Sequence, residues 1–521
     1  HRSEVRRLHE KLFYRPLLQA VAQLDAGEAR LTPVDAEIRL EALGYAGPSD
    51  ALRHIEALTR GVSRRAAIQR TLLPVLMGWF AQYPDPDAGL LGFRRVSDAL
   101  GATPWYLRLL RDSGVAAERL ARVLATSRFA TDLLLRAPEA VAMLEDDDEL
   151  VPRGRAALTA EVLATARRHD DPEDGARAIR AVRRRELFRV AVADLLGMLD
   201  LEQVGVGLSD IAAATLQGVL DAAERKVRAD RADPVPTTIA VIAMGRLGGS
   251  EIGYGSDADV MFVLDPLPGA GERESLDYGL AVANELRRLL AIPAPDPALG
   301  VDTDLRPEGK NGPLVRTLAS YAAYYERWAV VWERQALLRA EPVAGDADLG
   351  SRFIALIDSI RYAADGLAPS DLREIRRIKA RVESERMPRG ADPALHTKLG
   401  RGGLADVEWT VQVEQLAHAA KVAGLRTTRT LPALAALRDA GVVTGEQHDT
   451  LGAAWRLASR ARNATMLVRG RASDSLPSDV RDLAGVARII GYPPGRTGEL
   501  VEDYLRTMRR ARVVVDDVFS T

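Results

Sequence analysis

Along most of the chain apolar residues recur every third or fourth position, as in "RRELFRVAVADLLGMLDLEQVG" at 184–205, where Ala, Leu, Arg and Glu dominate. That spacing predicts amphipathic helix. Clusters of Pro, Gly and Asp interrupt it at 82–92, 168–175, 231–236, 291–300 and 387–393, the composition of turns and linkers. Between the third and last breaks the texture changes. "TTIAVIAM" (237–244) and "ADVMFVL" (258–264) are apolar and β-branched, and "GVDTDL" (300–305) alternates apolar with acidic, so three strands are expected there. A helix from Glu272 to Leu290 joins the second to the third, and after Leu349 long amphipathic helices resume. No repeat and no low-complexity tract is visible. The pattern therefore predicts a mainly α chain with a mixed-sheet α/β core flanked by helical domains.

Length and charge set the outer bounds. A chain of 521 residues exceeds one compact core and implies several domains. Lys and Arg number 71 against 73 Asp and Glu, a net charge of −2. This gives no global electrostatic reason to bind nucleic acid or a membrane surface. The absence of cysteine excludes disulfides and thiolate metal sites, and the dispersed histidines show no HxxxH spacing, so no His metal site is expected. "HRSEVRRLHEKLF" at the N-terminus has no initiating Met and no apolar signal core, and no uncharged apolar run approaches the roughly 20 residues that span a bilayer. These features are those of a cytoplasmic chain that forms part of something longer.

The chemistry concentrates in "AMGRLGGSEIGYGSDADVMFVLD", residues 243–265. Two common phosphate-binding readings of its glycines fail on spacing: a Walker loop needs Lys where Tyr254 stands, and a dinucleotide fingerprint opens a helix. Here the loop opens a strand. Residues i and i+2 of a strand project from one face about 6.6 to 7 Å apart, so Asp257 and Asp259 point the same way. Two like charges on one face suit hard cations, and Mg²⁺ commonly takes one or two carboxylates plus substrate phosphates. A pair of ions would need a third carboxylate. Asp302 and Asp304 in the third expected strand are the candidates, while residues 245–256 offer backbone N–H groups, Arg246 and two serine hydroxyls to a triphosphate.

Taken in order, "GRLGGSE", "SDAD", "DTDLRPEG", "WERQALLRA" and "VAGD" resemble the nucleotidyltransferase superfamily with a DNA polymerase β-type core. Within it they are similar to the glutamine synthetase adenylyltransferase family, whose pattern is G-[KR]-L-G-G-x-E, Ser-Asp-x-Asp, D-x-x-L-R-P-x-G, W-E-x-Q-A-L-x-R-A and V-x-G-D. The likeness extends over roughly residues 50–521, including "TSRFATDLLLRAPE", "RRRELFRVAVADLLG" and "KLGRGGLADVEWTVQ". It implies two Mg²⁺ ions held by Asp257, Asp259 and Asp302, which would also be the catalytic carboxylates. ATP as substrate would lie against Gly245, Arg246, Gly249, Ser256 and Arg306, with Glu251 orienting the loop. Asp302 aligns with D-x-x-L-R-P; Asp304 stands where many relatives have Arg, which leaves the local charge balance open.

The implied reaction moves AMP from ATP to a tyrosine of glutamine synthetase and releases pyrophosphate, with Asp302 as candidate base. Family members carry two transferase-like halves. "GYGSDAD" with "WERQAL" resembles the adenylylating, C-terminal half, since the removing half usually has Asn-x-Ser-Ser-Asp there. A PII-type signalling protein and glutamine are the regulators the family implies. The expected division is a helical linker or regulatory region (1–120), a helical lead-in (121–235), the transferase core (236–350) and a C-terminal helical domain (351–521). Phosphorolytic removal of AMP, transfer to nucleic acid and a non-catalytic adaptor for the synthetase or a PII-type protein are the rivals.

Weaker signals carry plainer expectations. Tyr325, Trp328 and Trp332 share a helical stripe and should be core. Arg183–Arg185 and Arg376–Arg377 should be solvated faces. Gly402 and Gly403 should form a tight turn before a helix capped by Asp406, leaving Lys398 and Arg401 as weak phosphate candidates, and Arg306, Glu308 and Lys310 should occupy a charged loop that is either a surface turn or a nucleotide contact.

Overall fold

The computed structural model describes residues 33–520 except 102 and 232; the N-terminal stretch 1–32 lies outside the described residues. Helices dominate, as the periodicity predicts. Three of them build the site's support: α1 (Pro172–Leu196), α2 (Leu201–Ala229) and α3 (Glu272–Ala291). Their ends carry ordinary stop and start chemistry. Asp171 caps α1, which stops at Gly197 with φ 75°, and Asp200 forms a capping box with Gln203 at the start of α2.

Among the described residues the sheet has five strands: β1 (Thr237–Ala243), β2 (Ala258–Pro266), β3 (Val301–Asp302), β4 (Val315–Thr317) and β5 (Glu341–Gly345). β1 lies antiparallel between β2 and β5. β3 and β4 follow one another along the other edge of β2, both parallel to it. The sheet is mixed, as expected, and the first two strands fall where the β-branched runs place them. The third expected strand shrinks to two paired residues, because the chain turns at Thr303–Arg306 rather than extending to Leu305.

Both faces of the sheet are covered, and the period of two decides which residues face which cover. Ile239, Val241, Ala243, Val260, Phe262 and Leu264 join the core built with α1, α2 and α3. The alternate residues Ala240, Ile242, Met261 and Val263 form a second core with Tyr321, Tyr325, Leu337 and Phe353. Counting back from Met261 in steps of two places Asp259 and Asp257 on this second side. The C-terminal helices, among them α4 (Leu404–His418) and α5 (Gly445–Arg469), have a core of their own around Val407, Val411, Leu451 and Trp455.

Two expectations fail here. The aromatic stripe is broken: one helix ends at Trp328 and the next starts at Val331. Tyr325 is buried, but Trp328 is 67% exposed, because Glu333 accepts the Val330 amide and turns the chain between them. Nor is the arginine run a solvated face. Arg180 and Arg183 of α1 are buried and donate to the carbonyls of Ile292, Asp296 and Pro297, while Arg184 pairs with Asp296 and Arg185 with Glu161 and Glu186. These bonds fix the Pro-rich segment that leads into β3. Arg377 does remain exposed, beside Glu374.

Candidate active site

The pairing of β2 with β3 determines how the acidic residues meet. Asp259 stands in register with Asp302 across the parallel pair, and Ala258 donates to the Gly300 carbonyl at 2.8 Å. Asp257, two residues earlier on the same side of β2, lies against Gly300, where a Cβ would collide with its Oδ1. Asp257 and Asp302 are exposed and Asp259 is half-buried. Burial pushes the Asp259 carboxyl up to about 6, with Asp302 and then Asp257 adding to the rise, while Lys398 and Arg386 oppose it. Those two cations come from the C-terminal helical region. Arg386 went unnoticed in the sequence and Lys398 was only a weak candidate, since nothing local links either to a strand more than a hundred residues earlier.

Asp304 answers the question its departure raised. Its amide donates to Asp302 Oδ1 at 2.7 Å, and its own carboxylate faces Arg306 at 3.8 Å and Lys310 at 3.5 Å. It therefore braces the third carboxylate and shares its charge with its own loop. Arg306 is buried and donates to the carbonyls of Thr303, Lys310 and Gly312. Its hydrogen bonds knit the loop 303–312 together.

The glycine-rich segment begins with a helical turn, Gly245–Gly248, that periodicity could not reveal in so short a stretch. Gly245 has φ 54°, and a Cβ there would collide with Asp259 Oδ2. Only glycine lets the backbone pass this close to the carboxylate. Ser256 Oγ accepts the Gly253 amide at 3.0 Å, and Gly249 faces Arg339 and the Thr428 carbonyl. Arg246 does not point toward the aspartates: its guanidinium turns to Ser459 and Glu408. Tyr254 donates to Asp194 at 2.8 Å, anchoring the far end of the segment to α1. The Gly402–Gly403 turn is present, and Asp406 Oδ2 accepts the Gly402 amide at 2.6 Å from inside α4 rather than from its cap.

Among the described residues no three acidic or histidine side chains converge tightly enough to define a metal centre by themselves. The fit of Mg²⁺ rests on donor chemistry. Asp259 stands in register with Asp302, Asp257 lies against Gly300 beside them, and hard oxygen donors of that kind match Mg²⁺.

A small mixed sheet that presents a glycine-rich turn and paired aspartates at one strand end, set among helices, is the arrangement expected of a nucleotidyltransferase core. Residues 117–355 match the family model for glutamate-ammonia ligase adenylyltransferase, and residues 376–521 match that for GlnD PII-uridylyltransferase. The chain is similar along its whole length to curated enzymes of glutamine synthetase adenylylation. It is 61% identical to the bifunctional glutamine synthetase adenylyltransferase/adenylyl-removing enzyme of Streptomyces avermitilis, the match taking in 100% of this chain and 53% of the relative. The enzyme of the same name from Streptomyces coelicolor is 60% identical over 100% of this chain and 53% of its own length, and that from Mycobacterium tuberculosis 49% over 99% and 52%. The chain thus spans about half the length of the curated relatives it matches. Among the described residues no helix is long and apolar enough to cross a membrane.

Proposed function

We propose that this chain transfers AMP from ATP to a tyrosine hydroxyl of glutamine synthetase. The observation that carries the reading is the register of Asp259 with Asp302 beside Asp257, within a chain whose relatives bear that activity in their names. In the reaction the phenolic oxygen bonds to the α-phosphorus, the bond from that phosphorus to the bridging oxygen breaks, and pyrophosphate leaves. A free tyrosine, with a pKa near 10, is a poor nucleophile at neutral pH. Asp302 is exposed, with Oδ1 engaged by the Asp304 amide, so Oδ2 is the atom to receive the phenolic proton. Asp257, Asp259 and Asp302 would hold two Mg²⁺ ions, which would supply positive charge against the phosphates. The turn 245–256 would lie against the triphosphate, a position open to it because Gly245 brings the chain against Asp259.

The segment "GYGSDAD" favours addition over phosphorolytic removal, as its resemblance to the adenylylating half implies. In our reading, residues 236–350 form the core, 121–235 lead into it, 351–521 form the C-terminal helical domain, and the match of 376–521 to a family named for PII makes that region the place to seek a PII-type partner.

The test is mass spectrometry of glutamine synthetase incubated with this chain, Mg²⁺ and ATP. AMP on a tyrosine is expected. Asp257→Asn should lower the rate by about three orders of magnitude or more without altering the circular dichroism spectrum. Modification only of the reverse kind, release of ADP from adenylylated synthetase and phosphate, would replace this reading with the removing activity.

A further inference from the structure

Both charged side chains of the glycine-rich turn point into the C-terminal helical region. Arg246 lies 5.8 Å from the Trp455 ring, donates to Ser459 Oγ at 3.3 Å and faces Glu408 at 3.7 Å. Glu251 is buried, and its carboxylate is fully engaged. Oε1 accepts the Thr430 amide; Oε2 accepts the Thr430 hydroxyl at 2.8 Å and the Arg339 guanidinium. Arg339 closes the triangle by donating from Nη2 to Thr430 Oγ1 at 2.6 Å. Thr430 opens the helix Thr430–Asp439, whose N-terminal dipole favours the carboxylate.

The neighbouring backbone shows why such a network is needed. Ser250 has φ 53° without being glycine, and a residue in the left-handed region persists only where its surroundings over-determine it. Gly205 of α2 packs so closely on the Ser250 carbonyl that a Cβ there would lie 2.9 Å from it. Tyr254 ties the other end of the turn to Asp194. The turn is therefore stretched between α1 and α2 on one side and Thr430 on the other.

We propose that Glu251, Arg339 and Thr430 form a positioning latch through which the C-terminal helical region sets the conformation of residues 245–256, so that Thr430 governs nucleotide binding without touching the nucleotide. The inference rests on the reading of that turn as the ATP-binding segment. It assigns to an element of the C-terminal region a role in the site some 180 residues upstream.

The experiment compares the full chain with Thr430→Val and Thr430→Ser. Valine removes the hydroxyl while keeping shape and backbone amide; serine restores the hydroxyl. Hydrogen exchange at the amides of residues 250–253 needs neither nucleotide nor activity, and should quicken about tenfold in the valine variant. Affinity for Mg-ATP by titration calorimetry should weaken about tenfold, while KM for glutamine synthetase stays within about twofold. Thr430→Ser should restore both. Unchanged exchange in the valine variant overturns the latch, as does faster exchange with unchanged ATP affinity, or ATP affinity and synthetase KM worsening together without rescue by serine. A wild-type chain that binds ATP but transfers no AMP would refute the proposed activity and leave the exchange and binding comparison to decide the latch.

Discussion

At the scale of single residues, burial sorts the acidic groups into different tasks. Asp259 is pushed up to about 6 beside two other carboxylates, whereas Glu224 on α2, remote from the site, is raised to about 7 by burial and then by Asp221, with Arg228 opposing. The consequence for Glu224 has a definite sign. Its folded pKa lies above its unfolded value of 4.5, so its favourable contribution is complete below about pH 4.5 and is lost as pH rises through 7. Glu224→Gln removes the penalty of ionising there. It should stabilise the chain at pH 8 by roughly 1 to 2 kcal/mol after allowance for partial exposure, and the gain should vanish toward pH 4.5. Denaturant unfolding at the two pH values checks this; a gain that is equal at both would refute the linkage.

At the scale of elements, connections remote in sequence determine how the site is held. Arg180 donates to the Ile292 and Asp296 carbonyls, fixing the segment that delivers β3 and with it Asp302. Arg180→Met keeps the aliphatic stem and leaves two buried carbonyls without their charged donor. A loss of about 3 kcal/mol is expected, measured by thermal unfolding, together with reduced transfer activity below the melting transition. Wild-type stability in that variant would remove the arginine from the support of β3. The same example shows the reach of sequence reading. β1, β2 and α3 were legible because each carries its own periodicity, and the placing of Asp257 and Asp259 on one side because strand geometry predicts it, whereas the choice of Asp302 over Asp304 came from the family motif alone. The depth of Arg180 and Arg183 was not, since the carbonyls that receive them lie more than a hundred residues on. β4 and β5 escaped for a related reason: "VRT" and "EPVAG" are too short to show alternation, and pairing with β2 and β1 alone makes them strands. Trp328 misled because the stripe assumed a helix that Glu333 interrupts.

At the scale of the whole molecule, the proposed lead-in and the proposed transferase core share one hydrophobic core. One face of the sheet is covered by α1, α2 and α3, and the buried residues of α1 and α2 form one continuous core with those of β1 and β2. Val241, Val260, Phe262 and Leu264 are fully buried in it. Exposing an aliphatic or aromatic side chain costs about 1.5 to 3 kcal/mol, so losing α1 and α2 while α3 stays in place, which uncovers about half of this surface, would cost on the order of 5 kcal/mol from these four alone. That reaches the lower end of the roughly 5 to 15 kcal/mol by which whole domains are stable. A fragment of residues 236–350, although it contains all five described strands and every predicted catalytic carboxylate, should therefore fail to fold cooperatively and should bind an apolar dye strongly. A fragment beginning before α1, at residue 117, and running to 521 should unfold in a cooperative transition. Cooperative unfolding of the shorter fragment would show that the sheet carries its own stability and that the lead-in only docks against it. The expected result instead makes the helices part of the catalytic unit, so that the aspartates stay in register only while α1 and α2 cover the strands beneath them.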